Sequence, residues 1–232
     1  MTNTTSSPRV NHVPRGFSLA GVHCGIKKNP AKEDLTLVLI DRPATAAGVY
    51  TQNKFPAAPV QLDRDRTPSA RIRAVVVNSG NANACTGERG MEDAVTMCRD
   101  VASACSVDPE SVLVMSTGVI GNFLPMDAIE SGIKAAKNLL GNDDKAIRSA
   151  ARGILTTDSC TKLVHRQWKG ASLFGIAKGA AMIGPKMATM LGIILTDVQI
   201  DPPEAQRLLS GAVEESFHCI HCLLYTSPSP RD

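Results

Sequence analysis

The run KGAAMIGPKMATMLG, positions 178 to 192 of this 232-residue chain, sets two lysines and a threonine among mostly small and apolar residues. Gly184 and Pro185 set a turn, Ala188 leaves room for backbone rearrangement, and Thr189 stands where an apolar strand begins. A threonine so placed can attack the peptide bond before it. The Thr189 hydroxyl would add to the carbonyl of Ala188, the acyl group would move from nitrogen to oxygen, and water would release the ester. Thr189 would then be a new N-terminus. Its α-amine, with an ordinary pKa of about 7.7–8.0, can act as base for its own hydroxyl near neutral pH. No histidine or aspartate is required. A threonine that merely opens a strand fits the same pattern, so residue types alone leave both readings open.

Three further places put polar groups at the ends of apolar runs. Thr117-Gly118 follows Val112-Leu113-Val114-Met115, Thr156 follows a helical stretch, and Lys178 precedes the Gly/Ala-rich segment. Taken alone, these are a strand-to-loop turn, a helix C-terminal residue bonded to its own backbone, and a solvated loop lysine.

The elements that must position these groups follow from periodicity. Residues 34–40 and 48–51 read as strands, and 71–77 as a strand buried on both faces. Asn78 to Ala84 reads as a tight loop that supports the site and lacks phosphate-loop spacing. Helices are expected over 90–106, 126–140, 146–155 and 202–215, a buried strand at 112–115, a hairpin around Lys169-Gly170, and a long apolar strand over 190–198. Strands and helices are mixed, so the class is α/β or α+β. Residues 1–15 are polar and read as disordered.

Composition excludes several functions. Net charge is +3, with Lys and Arg spread along the chain, so there is no nucleic-acid footprint and no basic membrane patch. No apolar run approaches the ~20 residues of a bilayer span, and the N-terminal segment lacks the pattern of a secretory signal, which makes cytoplasm the expectation. Seven scattered cysteines do not form a disulfide framework; Cys24, Cys85, Cys98, Cys105 and Cys160 read as reduced, mostly buried thiols. His218-Cys219 with His221-Cys222 is half of a metal site without a second ligand pair, and no metal is expected.

Four segments in order resemble motifs of the bifunctional glutamate N-acetyltransferase / ornithine acetyltransferase family of arginine biosynthesis. They are VVVNSGNANACTG (75–87), MSTGVIG (115–121), ILTTD (154–158) and KGAAMIGPKMATMLGIILTD (178–197). The resemblance covers roughly residues 15 to 220. It implies a helix–sheet–sheet–helix sandwich of the N-terminal-nucleophile-like type. It also implies self-cleavage between Ala188 and Thr189, an α-chain part at 16–188 and a β-chain beginning at 189–220, assembled as a heterotetramer of two α and two β chains. Thr189 corresponds to the nucleophile that carries acetyl from N-acetylornithine to glutamate, Thr117 and Gly118 to the oxyanion pair, and Thr156 and Lys178 to substrate-binding positions. No cofactor is implied; acetyl-CoA as a further acetyl donor is left open. Lys186 departs from the family's usual Asn or Asp. Residues 221–232 read as a foreign tail on a C-terminally truncated copy, which is expected to be poorly folded or inactive on its own. An N-terminal-nucleophile aminopeptidase or amidohydrolase, or an inactive packing module, are the alternatives.

Overall fold

The computed structural model describes residues 13–180 and 190–220. Ala188, Thr189, Lys186 and the tail at 221–232 lie outside the described residues. Seven strands are described: β1 (Phe17–Val22), β2 (Leu35–Ala46), β3 (Ser69–Asn81), β4 (Val112–Val119), β5 (Lys162–Trp168), β6 (Ala171–Lys178) and β7 (Leu191–Thr196). The helices are α1 (Ala58–Arg66), α2 (Gly87–Cys105), α3 (Met126–Asn138), α4 (Asp144–Gly153) and α5 (Pro202–Glu214), with short 3-10 turns at Pro109–Ser111 and Phe217–Cys219.

Strands β1 to β4 form one sheet in sequence order. The first two pairings are antiparallel and β3–β4 is parallel, as a crossover through α2 requires. β3 is buried on both faces, which is why its sequence is a continuous Ala-Val-Val-Val run. Ala74 and Val76 join Leu35, Leu37, Val112 and Val114 against α2 and α3, where Met97, Val101, Ile129 and Ile133 are fully buried. Val75 and Val77 face the other way, toward α4 and the second sheet.

That second sheet is antiparallel, in the order β5-β6-β7. Its hairpin turns on Lys169 and Gly170, with φ of 48° and 82°, the two positive values a tight two-residue turn needs. Phe174, Ile176 and Leu195 pack inward on Leu19, Val38, Ile147 and Ile154. The opposite face leaves Val164, Trp168, Leu173 and Ile194 exposed. The chain is thus a mixed α/β fold of two packed sheets with helices.

Several expectations are corrected. Gly48 to Thr51 forms no strand: the Gln206 side-chain amide bonds both backbone groups of Gly48, and the Tyr50 hydroxyl bonds Thr67 and the Asp63 carbonyl. Asn78 to Asn81 belongs to β3, because the parallel ladder with β4 continues through it. Helix α1 was not anticipated. Its sequence is polar with no amphipathic stripe, and it is held by tertiary contact: the buried Asp63 carboxylate accepts the Val114 N–H at 2.9 and 3.2 Å, on the free edge of β4. The six described cysteines are unpaired thiols, but Cys85 and Cys160 are exposed and Cys24 and Cys105 half-buried; Cys98 alone is fully buried.

Candidate active site

The site is built where β3 and β4 end together. Thr117 pairs with Ser79 and Gly118 with Gly80, after which the register shifts. Gly118 has φ +138°, and a Cβ there would lie 2.2 Å from the Gly80 carbonyl carbon and 2.5 Å from the Asn81 nitrogen. No other residue fits this crossing. The strand therefore stops being regular at an exposed glycine peptide beside a buried threonine.

Asparagine amides brace this end of the sheet. The Asn81 amide donates to the carbonyls of Asn122 and Phe123, the Asn83 amide donates to the Gly90 carbonyl at the start of α2, and the Ser116 hydroxyl donates to Asn78 Oδ1. The asparagine-rich segment thus ties down this end of the sheet, and part of it is strand.

Lys178 ends β6 and is 4% exposed. Its Nζ donates to Thr117 Oγ1 at 2.5 Å, so it is no solvated loop lysine. An ammonium only donates, so Thr117 must accept here and its own O–H proton is left for another acceptor. Burial lowers the Lys178 pKa to about 8, with the Asp158 charge opposing and Lys162 reinforcing. Asp158 Oδ1 accepts the Gly179 N–H at 2.9 Å and the Lys162 ammonium. Burial works against the Asp158 anion, yet the Lys162 and Gly179 hydrogen bonds and the Lys162 and Lys178 charges hold its carboxyl below the ordinary range.

Thr156 is half-buried, two residues beyond the helix cap at Ile154. Its side chain makes no hydrogen bond among the described residues, so the backbone-bonded alternative does not hold. Its loop is anchored on both sides: Lys27 Nζ donates to the Leu155 carbonyl at 2.8 Å and to the Glu33 carbonyl at 2.7 Å, and Asp158 ties to Gly179. Lys27 is placed by Asp34, whose buried carboxylate accepts the N–H groups of Cys24, Gly25 and Lys27.

The structure therefore joins Thr117, Gly118 and Lys178 directly and brings the Thr156 loop alongside through Asp158. Leu191, two residues after Thr189, is the cross-strand partner of Lys178. Lys27, Asp34 and Asp158 carry no role in the sequence reading. Asp158 closes the ILTTD segment, whereas nothing local marks Lys27 or Asp34, whose partners are set by loop geometry. A hydroxyl polarised by an ammonium, next to an exposed glycine peptide, can stabilise negative charge developing on a carbonyl oxygen.

The ArgJ family matches residues 18–228. The arginine biosynthesis bifunctional protein ArgJ of Rhodopirellula baltica is 43% identical, over 98% of this chain and 57% of its own length. That of Geobacter sulfurreducens is 48% identical, over 89% of this chain and 53% of its own. The chain spans about half the length of the curated relatives it matches. The ornithine acetyltransferase of Mycobacterium tuberculosis, solved with ornithine, is similar with a TM-score of 0.70 and 38% identity, covering 76% of this chain and 96% of that one. ArgJ of Bacillus halodurans gives 0.64 and 34%, covering 77% and 92%. With the family match running along nearly the whole sequence, the chain belongs to the ArgJ family.

Proposed function

We propose that the protein carrying this chain moves the acetyl group of N-acetylornithine to glutamate through an acetyl-threonine at Thr189, after self-cleavage between Ala188 and Thr189. The observation that carries this reading is the Lys178–Thr117 hydrogen bond beside Gly118, set across the strand pair from the start of β7. The α-amine of Thr189 takes the proton of its own hydroxyl, and the hydroxyl oxygen attacks the acetyl carbonyl. Thr117 O–H and the Gly118 N–H receive the oxyanion. Ornithine leaves as the protonated amine, and the amine of glutamate then attacks the ester, forms N-acetylglutamate and frees Thr189. Thr156 and Lys178 hold substrate, with the Lys178 ammonium suited to a carboxylate.

Relatives named as ArgJ and as ornithine acetyltransferase support this chemistry. The structural relatives' chains are covered over 92% and 96% of their length, whereas the curated sequences are covered over about half. A chain cut near Thr189 accounts for that contrast. We place the α₂β₂ assembly and the cytoplasmic location with this reading; no helix among the described residues is long and apolar enough to cross a membrane. Acetyl-CoA as a second donor is tested by steady-state assay with each donor.

The test is Thr189→Ala in the full-length protein. Wild type is expected to give two fragments split after Ala188 by intact mass and to take up radiolabelled acetyl on the second. The variant is expected to do neither. Cleavage and labelling that persist in the variant would remove Thr189 from the mechanism. Acetate released without N-acetylglutamate would replace transfer with amide hydrolysis.

A further inference from the structure

The Asp158 side chain is fully buried, at 0% exposure, although it lies in the loop before β5 and its ion-pair partner Lys162 is 44% exposed. Its Oδ1 takes the Gly179 N–H and the Lys162 ammonium, and its Oδ2 is buried without a hydrogen-bond partner among the described residues. A buried carboxylate oxygen without a partner is unfavourable. The bonds that Asp158 does make lead to the site: Gly179 directly follows Lys178, and Lys178 rests on Thr117.

We infer that Asp158 is a positioning residue for the site, fixing through Gly179 where Lys178 stands against Thr117 and holding the lysine in its charged, donating form. The inference rests on the reading of Thr117 and Lys178 given above. Asp158 acts from the loop before β5 and Lys162 from β5 itself; among the described residues these are the charged groups acting on Lys178. The facing group on β4, Thr117, is uncharged. Asp158 opposes the discharging effect of burial, and Lys162 adds to it. A neutral Lys178 could still touch Thr117, but it could also accept the threonine proton, and the hydroxyl would no longer be left to donate toward an oxyanion. Asp158 thereby decides the direction of one hydrogen bond.

The test reads charge and does not involve acetyl transfer, so it can fail independently of the acetyltransferase reading. The Nζ of Lys178 is titrated by ¹⁵N NMR in the full-length protein, with Lys178→Arg assigning the signal. Asp158→Asn keeps an acceptor for the Gly179 N–H and removes the charge. The Lys178 midpoint should fall by about one pH unit while Gly179 amide protection is retained. Asp158→Ala should lower the midpoint similarly and also reduce Gly179 amide protection roughly tenfold. Lys162→Met, on a half-exposed side chain, should raise the midpoint. A midpoint unmoved in Asp158→Asn overturns the inference. Should the Asp158 variants fail to fold, Lys162→Met decides by its sign: an unchanged or lowered midpoint refutes it.

Discussion

Gly118→Ala tests the strand crossing on which the site depends. Alanine at φ +138° carries the strain of an L-residue at positive φ, about 1–2 kcal/mol. Its Cβ would also meet the Gly80 carbonyl carbon at 2.2 Å, the Asn81 nitrogen at 2.5 Å and the Gly80 oxygen at 2.6 Å. These are backbone atoms of the neighbouring strand, which cannot rotate away, so overpacking adds about 1–3 kcal/mol. The total is about 3 kcal/mol, or roughly 6–12 °C in melting temperature for a domain of this size. Gly121 is the control: its φ is +85° and nothing lies within 4 Å of its Cβ position, so Gly121→Ala should lose only the conformational part, about 1 kcal/mol. Urea unfolding of the two variants separates strain from clash, with equal m-values confirming that the same surface unfolds. In the full-length protein Gly118→Ala should also lower acetyl transfer about 10²-fold or more. If it destabilises no more than Gly121→Ala, the close crossing of β3 and β4 is wrong.

Three other outcomes are expected. Burial lowers Lys178 to about 8, so between there and its ordinary value the unfolded chain binds the extra proton and stability rises with pH. Lys178→Met should stabilise the chain at pH 7 by up to about 3 kcal/mol, a gain that fades toward pH 10.5, while transfer in the full-length protein collapses; urea midpoints at both pH values check it. Asp63 has the opposite sign. Burial raises its pKa to about 8, with the Val114 N–H and Arg66 opposing, so the folded state keeps a proton the unfolded state has lost, and stability falls as pH climbs from about 4 to about 8. Asp63→Asn keeps the acceptor for Val114 and should raise the urea midpoint above pH 8 with little change near pH 4. Phe174→Ala, at a fully buried position between the sheets, should lose about 3–5 kcal/mol in the same assay.

The β3 core, the α2, α3 and α5 helices and the hairpin at Lys169-Gly170 were legible because each is a local pattern: an apolar run, an amphipathic period or a turn pair. What was not legible depends on partners far along the chain. Helix α1 exists because Asp63 finds the edge of β4, 51 residues away. Gly48 meets Gln206, 158 residues away, and the strand expected there gives way to side-chain bonds. At the site, the four motifs pointed to Thr117, Gly118 and Lys178, and a physical reading of residue types alone favoured none of them. The hydrogen bond between Lys178 and Thr117 spans 61 residues. The roles of Lys27, Asp34 and Asp158 come from loops whose shapes no period encodes.

The outer face of the second sheet has a practical consequence. Trp168 is the chain's single tryptophan, it is 65% exposed, and it shares that face with Val164, Leu173 and Ile194. The Lys169 ammonium sits 4.6 Å above its ring. All tryptophan emission of the molecule therefore originates at one apolar surface. Whatever covers that surface will shift the emission to the blue and shield it from a dissolved quencher, so the protein carries its own optical label for the occupancy of that face.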